Sequence, residues 1–163
     1  MIYLKIMEVL KADAEQLSKR VVKDLLTRGE TEYHKKYSED IMYERVYDVY
    51  STLSYWLDRA RPKEEIRKHF VELGKKRFQE GIPLHEVIMF LMLIKRHLWL
   101  YLLEKHFFES SYEIMKSLEM NNRVVLFFDR AILAASMGYE EELMKYVETC
   151  KEKSLISKFF GKK

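Results

Sequence analysis

Three basic residues interrupt the most apolar stretch of the sequence, which runs from Pro83 to Glu109. Lys95, Arg96 and His97 stand between two long runs of apolar residues. Because a surface helix keeps polar residues on one side, this pattern predicts a central helix that other helices surround on most sides. A cation within such a helix must be compensated by a carboxylate or by a ligand.

Two interpretations of these cations follow. In the simpler one, the side chains reach solvent or form internal ion pairs that fix the register of the helix, with Asp129 as the obvious carboxylate. In the sharper hypothesis, the cations mark a small cavity for an anionic or planar small-molecule ligand. The predicted lining of that cavity is Arg96, His97, Trp99, Phe127, Phe128 and Asp129.

The other histidines do not form a recognisable metal or catalytic motif. No Glu is followed by His three residues later, as di-iron bundles require. His85 and Glu86 begin like a zinc-protease motif, but Met89 stands where the second His is needed. There is also no phosphate-binding glycine loop and no nucleophile elbow. We therefore expect no enzyme activity, no metal and no cofactor, and we expect His34 to be solvated in a polar loop.

Composition and charge favour a single helical domain. The 163 residues are 48% hydrophobic and contain five Gly and two Pro, which is typical of a soluble all-α protein. The start of the chain lacks the apolar core of a signal peptide, so a cytoplasmic location is expected. The net charge of +3 is the sum of +4 in residues 151–163 and −1 in the rest of the chain. A near-neutral body does not predict a nucleic-acid partner. The single Cys150 is expected to be a buried or idle thiol.

Apolar residues at helical spacing divide the chain into about five helices. Gly29 is expected to be a left-handed cap, Ser38 an N-cap, and Gly74 a point where a neighbouring helix approaches closely. The predicted helices run from about Tyr3 to Arg28, Ser38 to Arg61, Pro62 to Gly81, Pro83 to Glu109, and Tyr112 to Cys150.

The last predicted helix is apolar on more than one face between Val124 and Ala135. Two burial surfaces are implied there, and the second could be another protomer. Asp129 and Arg130 interrupt this segment, where an unpaired buried charge would be costly.

We expect residues 1–150 to form the domain and residues 151–163 to form a basic, partly apolar tail. In that tail, Leu155, Ile156, Phe159 and Phe160 could share one face of a short helix that docks on a membrane surface or on a partner. A frayed terminus is the alternative.

Two segments, GIPLHEVIMFLMLIKRHLW and NNRVVLFFDRAILAASMGYEEEL, resemble the N-terminal sensory domains of RsbR-type stressosome regulators, in particular the RsbRD N-terminal family. The segments YERVYDVYSTLSYWL and KKRFQEG are similar too, so the resemblance covers roughly Lys5 to Val147. It implies a globin-like helical domain that lacks haem, forms a homodimer and passes a signal to a signalling partner or to an attached output domain.

The resemblance also bears on haem. Globins hold the iron through a histidine on a short helix, and Gly81 and Ile82 alone separate the third predicted helix from Pro83. A haem-free sensory module is therefore the expected function. A haem- or tetrapyrrole-binding gas sensor is the alternative, with His69 or His97 as an unorthodox ligand.

Overall fold

The computed structural model describes residues 2–57, 62–105 and 110–160, and of residues 2, 3 and 154–160 it describes the backbone alone. Every regular element in these ranges is helical, which confirms the predicted all-α fold with a long last helix. Short 3₁₀ turns cover Gly29–Thr31 and His34–Lys36. The α-helices are α1 Ile2–Ala12, α2 Ala14–Thr27, α3 Glu39–Trp56, α4 Lys63–Gln79, α5 Leu84–Glu104 and α6 Ser111–Phe160.

The first predicted helix is divided in two. At Asp13 the backbone leaves helical geometry (φ −111°, ψ 11°), although its N–H still donates to the carbonyl of Val9 at 2.8 Å. The expected left-handed cap at Gly29 is wrong, because α2 ends on an extended Arg28 (φ −82°, ψ 140°). The described glycine with positive φ is Gly81 (φ 73°), which ends α4. The apolar period continues through the bend, so periodicity alone does not reveal it.

Helix α3 begins as predicted and ends earlier. The Ser38 hydroxyl accepts a hydrogen bond from the Ile41 N–H at 3.3 Å and thus caps the first turn. The helix ends at Trp56, whereas the sequence predicted an end near Arg61. Residues 58–61, including Ala60 and Arg61, lie outside the described residues.

Helices α4 and α6 pack backbone to backbone. Gly74 is buried in α4, and a Cβ added there would lie 1.9 Å from the carbonyl oxygen of Ala135. The predicted close approach at Gly74 is therefore confirmed, and α6 is the helix that makes it.

Helix α5 is the buried central helix that the sequence predicted. Its inward residues lie in the core cluster with side chains of α2, α3, α4 and α6. One strip of the helix, with Met92, Arg96 and Leu103, nevertheless reaches solvent.

Helix α6 has 50 residues and is therefore about 75 Å long, against about 31 Å for the 21 residues of α5. It runs past Cys150 without a break, so the division of the chain after residue 150 stays a prediction. Cys150 itself is exposed and not buried. Across the described residues, the helices are too short or too polar to form a membrane span.

Candidate functional site

The three cations of α5 point to different environments. His97 is buried, and its Nε2 lies 2.7 Å from Oδ2 of Asp24 in α2. Lys95 donates from Nζ to Oδ1 of Asp129 at 3.1 Å, at the surface between α5 and α6. Arg96 is exposed. The simpler interpretation is thus correct for His97 and Lys95, because each contacts a carboxylate of the protein itself. Asp129 is the partner of Lys95, as predicted.

The partner of His97 is a shared carboxylate. Asp24 also accepts hydrogen bonds from Nε and Nη2 of Arg28, at 2.7 Å and 3.1 Å. Burial alone would raise the pKa of Asp24, but the hydrogen bonds from Arg28 and His97 outweigh it and lower that pKa. Asp24 is therefore ionised at neutral pH and links α2 to the middle of α5.

The charged residues of α6 avoid the cost of an unpaired buried charge. Asp129 and Arg130 are both exposed, although their neighbours Phe128 and Ala131 are fully buried. Four consecutive residues of a helix cover all of its sides, so a charged pair within an apolar run can still face water. The apolar residues of this segment cover most sides of the helix, and the two charged residues occupy the side that faces solvent.

The residues predicted to line a ligand pocket are divided between core and surface. Phe127 and Phe128 belong to the core and contact each other edge to face, with centroids 5.1 Å apart. Trp99 is half-buried, and its Nε1 has no hydrogen-bond partner in the part of the chain described here. Arg96 and Asp129 are exposed. The pocket itself stays a prediction.

A second buried polar contact joins His34 to Glu86, and the expectation of a solvated His34 is wrong. Nδ1 of His34 lies 2.8 Å from Oε2 of Glu86, and both side chains are 2% exposed. The same carboxylate accepts the backbone N–H groups of Tyr33 and His34 at 2.9 Å and 3.0 Å. The His34 ring stacks on Phe90 of α5, with centroids 5.5 Å apart and planes within 4°.

Burial and hydrogen bonding set the charge state of this pair. Burial lowers the pKa of His34, and the Glu86 carboxylate only partly offsets that effect. Burial would raise the pKa of Glu86, but the N–H donors of Tyr33 and His34 outweigh it and lower that pKa. A neutral imidazole thus donates to an ionised carboxylate, which fixes the 3₁₀ turn at His34 on the first turn of α5.

The sequence offered little that could reveal this pair. Its residues are 52 positions apart, and the segment around His34 is locally polar. The one available signal is the position of Glu86, which shares a helical face with Phe90 and Leu93 inside an apolar helix.

The outward sides of α5 and α6 carry exposed apolar side chains. On α5 these are Met92, 45% exposed, and Leu103, 59% exposed. On α6 the corresponding values are 51% for Leu118, 48% for Leu126 and 62% for Leu133. We call these five residues the α5–α6 face. The Lys95–Asp129 ion pair joins the same two helices at the surface.

Comparison with known proteins identifies the family. No curated protein and no solved structure gives a significant match to the chain. A protein-family model described as the RsbT co-antagonist protein rsbRD N-terminal domain matches residues 15–145, which include α2 except its first residue, the whole of α3 to α5, and most of α6. The chain therefore belongs to the rsbRD N-terminal domain family.

Proposed function

We propose that the chain is a haem-free, globin-like sensory module of the stress response, which acts by forming a homodimer and contacting a signalling partner. The family description supports a regulatory role, since it names a co-antagonist protein and no catalytic activity. The observation that carries the proposal is the α5–α6 face, because five large apolar side chains there are half exposed or nearly so. Large apolar side chains exposed on two neighbouring helices are a feature of interaction sites.

A second copy of the chain is the occupant that the charges of this face favour. Arg96 and Arg130 are exposed, and each adjoins in sequence one member of the Lys95–Asp129 ion pair. In a two-fold symmetric interface the same patch is contributed by both copies. A patch with both charge signs around an apolar centre can therefore complement itself, whereas a patch of one sign would repel its copy.

The far part of α6 is the segment that we assign to the signalling partner. Leu143, Met144 and Tyr146 are exposed there, and Tyr146 is 61% exposed even though its ring contacts Phe78. Because α6 is continuous, a shift of its packed part would also move this segment. Contact of the tail with a membrane surface stays a prediction, because the side chains of Leu155 to Phe160 lie outside the described residues.

Two features support the haem-free assignment. Only four residues, 80–83, connect α4 to α5, which leaves little chain for the ligand-bearing helix of a globin. Nε2 of His97 is engaged by Asp24, and His69 is an exposed residue whose ring contacts Trp56 and Phe70. A Soret band in the purified protein would establish the gas-sensor alternative instead.

Sedimentation of the purified protein tests the dimer. We expect the wild type to sediment as a dimer and the double variant Leu126→Glu, Leu133→Glu to sediment as a monomer with unchanged helix content. Both leucines are exposed in the single chain, so the substitutions need not disturb the fold. Leu4→Glu is the matched control, because Leu4 is 54% exposed but lies on α1. A monomeric wild type, or a double variant that stays dimeric, would contradict the proposal.

A further inference from the structure

A cavity of about 370 Å³ lies between α3 and α4, away from the α5–α6 face. Phe90 of α5 contributes to its wall, and the polar groups come from both flanking helices. Its volume is within the range of small-molecule sites, which is about 300–1,000 Å³. The lining residues are Ile41, Glu44, Arg45, Asp48, Val49, Leu73, Lys76, Arg77 and Phe90.

Two arginines of this cavity share one carboxylate. Nη1 of Arg77 donates to both carboxylate oxygens of Glu80, at 3.0 Å and 2.9 Å. Nη2 of Arg45 donates to Oε1 of the same carboxylate at 3.1 Å. The side chains of Arg45 and Arg77 are only 16% and 10% exposed, so both guanidinium groups are largely removed from water. Two buried positive charges against one negative charge leave a local excess of +1.

The hydrogen-bonding capacity of Arg45 is also incompletely used. Its guanidinium lies over the ring of Tyr37, 4.5 Å from the centroid, and its Nη1 is buried with no hydrogen-bond partner among the described residues. Burial lowers the pKa of Arg77, and repulsion from Arg45 adds to that effect. A buried donor without a partner costs free energy, so the described residues do not fully satisfy this guanidinium group.

The remaining charges of the lining do not neutralise this excess from within. Glu44 and Asp48 line the cavity but are exposed, so water screens their charge. Lys76 at the rim is exposed as well, so water screens its charge in the same way. The apolar part of the lining includes Phe90 and Leu73, which can accept a hydrocarbon or aromatic group.

We propose that this cavity binds a small organic anion, whose carboxylate or phosphate oxygens contact Arg45 and Arg77 while its apolar part lies on Phe90. Guanidinium groups are the side chains that best match such oxyanions. The ring of Phe90 also stacks on His34, which contacts Glu86, so a ligand on Phe90 would lie one side chain away from the contact that holds the loop on α5. That the bound anion acts as the signal rests on the proposed sensory function, whereas the binding itself does not.

Calorimetric titration of the full chain with benzoate, inorganic phosphate and uncharged benzamide tests the site. We expect benzoate or phosphate to bind at millimolar or lower concentration, and benzamide to bind at least about tenfold more weakly, because it lacks the charge. Stronger binding of benzoate would identify a carboxylate with an aromatic body, and stronger binding of phosphate would identify a phosphate group. Binding of benzamide as tight as that of benzoate would overturn the proposal.

Single substitutions test whether the anion binds in this cavity. Arg45→Gln should weaken anion binding about tenfold or more, since a charge-assisted hydrogen bond is lost. Lys76→Gln, at the exposed rim, should weaken it by a smaller factor and keeps the test valid if Arg45→Gln fails to fold. Arg67→Gln is the matched control, because Arg67 is an α4 arginine paired with Glu64 outside this cavity.

The absence of anion binding, or binding that neither Arg45→Gln nor Lys76→Gln changes, would overturn the inference. The sedimentation experiment reports on the dimer independently of any ligand. Anion binding by a monomeric protein would therefore reject the proposed mode of action and leave the anion site intact. A protein that forms the dimer but binds no anion would reject the anion site and leave the proposed dimer intact.

Discussion

Gly74 of α4 and Gly138 of α6 form a reciprocal pair of close backbone contacts. A Cβ at Gly74 would lie 1.9 Å from the carbonyl oxygen of Ala135, and a Cβ at Gly138 would lie 2.0 Å from that of Val71. Because neither glycine has a Cβ, each allows close packing of the turn of the opposite helix that contains the other glycine. Both obstacles are backbone atoms, so neither can move aside by a change of rotamer.

We expect Gly74→Ala and Gly138→Ala each to lower the free energy of unfolding by about 1–3 kcal/mol, because the two helices are forced apart. The helix propensity of alanine would offset part of this loss, by about 1 kcal/mol. Urea denaturation followed by circular dichroism measures the change.

Gly29→Ala is the control for this pair, because no atom lies within 4 Å of a Cβ at that position and its φ is not positive. It should leave the stability unchanged or raise it slightly, by about 0.4–1 kcal/mol. Alanine at Gly74 or Gly138 that behaved like alanine at Gly29 would contradict the assigned contact.

The sequence predicts this architecture better than it predicts the polar contacts. Helix bounds follow from local signals, such as Ser38 as a cap and the glycine and proline between α4 and α5. A glycine inside a helix also signals close packing, and Gly138 could have been recognised in the same way as Gly74.

The polar contacts depend on distances in space that local patterns do not encode. His34 lies among polar residues in the sequence, but it is buried in the fold. There it contacts Glu86, which is 52 residues further along the chain. The two arginines that share Glu80 come from different helices, and the sequence shows nothing that would bring Arg45 to Arg77.

Tyr50 provides a test of the contact between α3 and α5. Its hydroxyl donates to the carbonyl oxygen of Ile94 at 2.8 Å, and the side chain is fully buried. Tyr50→Phe removes this bond but keeps the ring, so we expect a loss of about 0.5–1.5 kcal/mol in denaturation experiments. Tyr47→Phe, on an exposed ring of the same helix, should change stability by less than about 0.5 kcal/mol. Equal effects would mean that the buried hydroxyl contributes nothing.

Asp24 and Asp129 allow a comparison of two carboxylates that both contact α5. Asp24 is 20% exposed and contacts both Arg28 and His97, whereas Asp129 is 58% exposed and contacts Lys95. We expect Asp24→Asn to cost about 1.5–3 kcal/mol at pH 7 and Asp129→Asn to cost less than about 1 kcal/mol. The lowered pKa of Asp24 means that its contribution is present above its unfolded pKa and is lost as pH falls through its folded pKa. The cost of Asp24→Asn should accordingly shrink in acid, and a cost independent of pH would reject this account.

The His34–Glu86 pair should make the fold sensitive to mild acid. Because burial lowers the pKa of His34, the unfolded chain binds a proton near pH 6.5 that the folded chain does not yet bind. Stability should therefore fall as pH drops from about 7 to about 5, with a slope of at most about 1.4 kcal/mol per pH unit from this group. The lowered pKa of Glu86 acts in the same direction at more acid pH, below about 4.3.

Denaturation midpoints of the wild type and His34→Gln, measured across this pH range, isolate the contribution of His34. Glutamine can still donate to the Glu86 carboxylate but does not titrate, so the variant should lose the slope between about pH 7 and 5 whatever its stability at pH 7. His69→Gln, at an exposed histidine outside this pair, is the matched control. Were the slope of His34→Gln to equal that of the wild type, the acid sensitivity would arise elsewhere, and the neutral, buried imidazole assigned to His34 would be wrong.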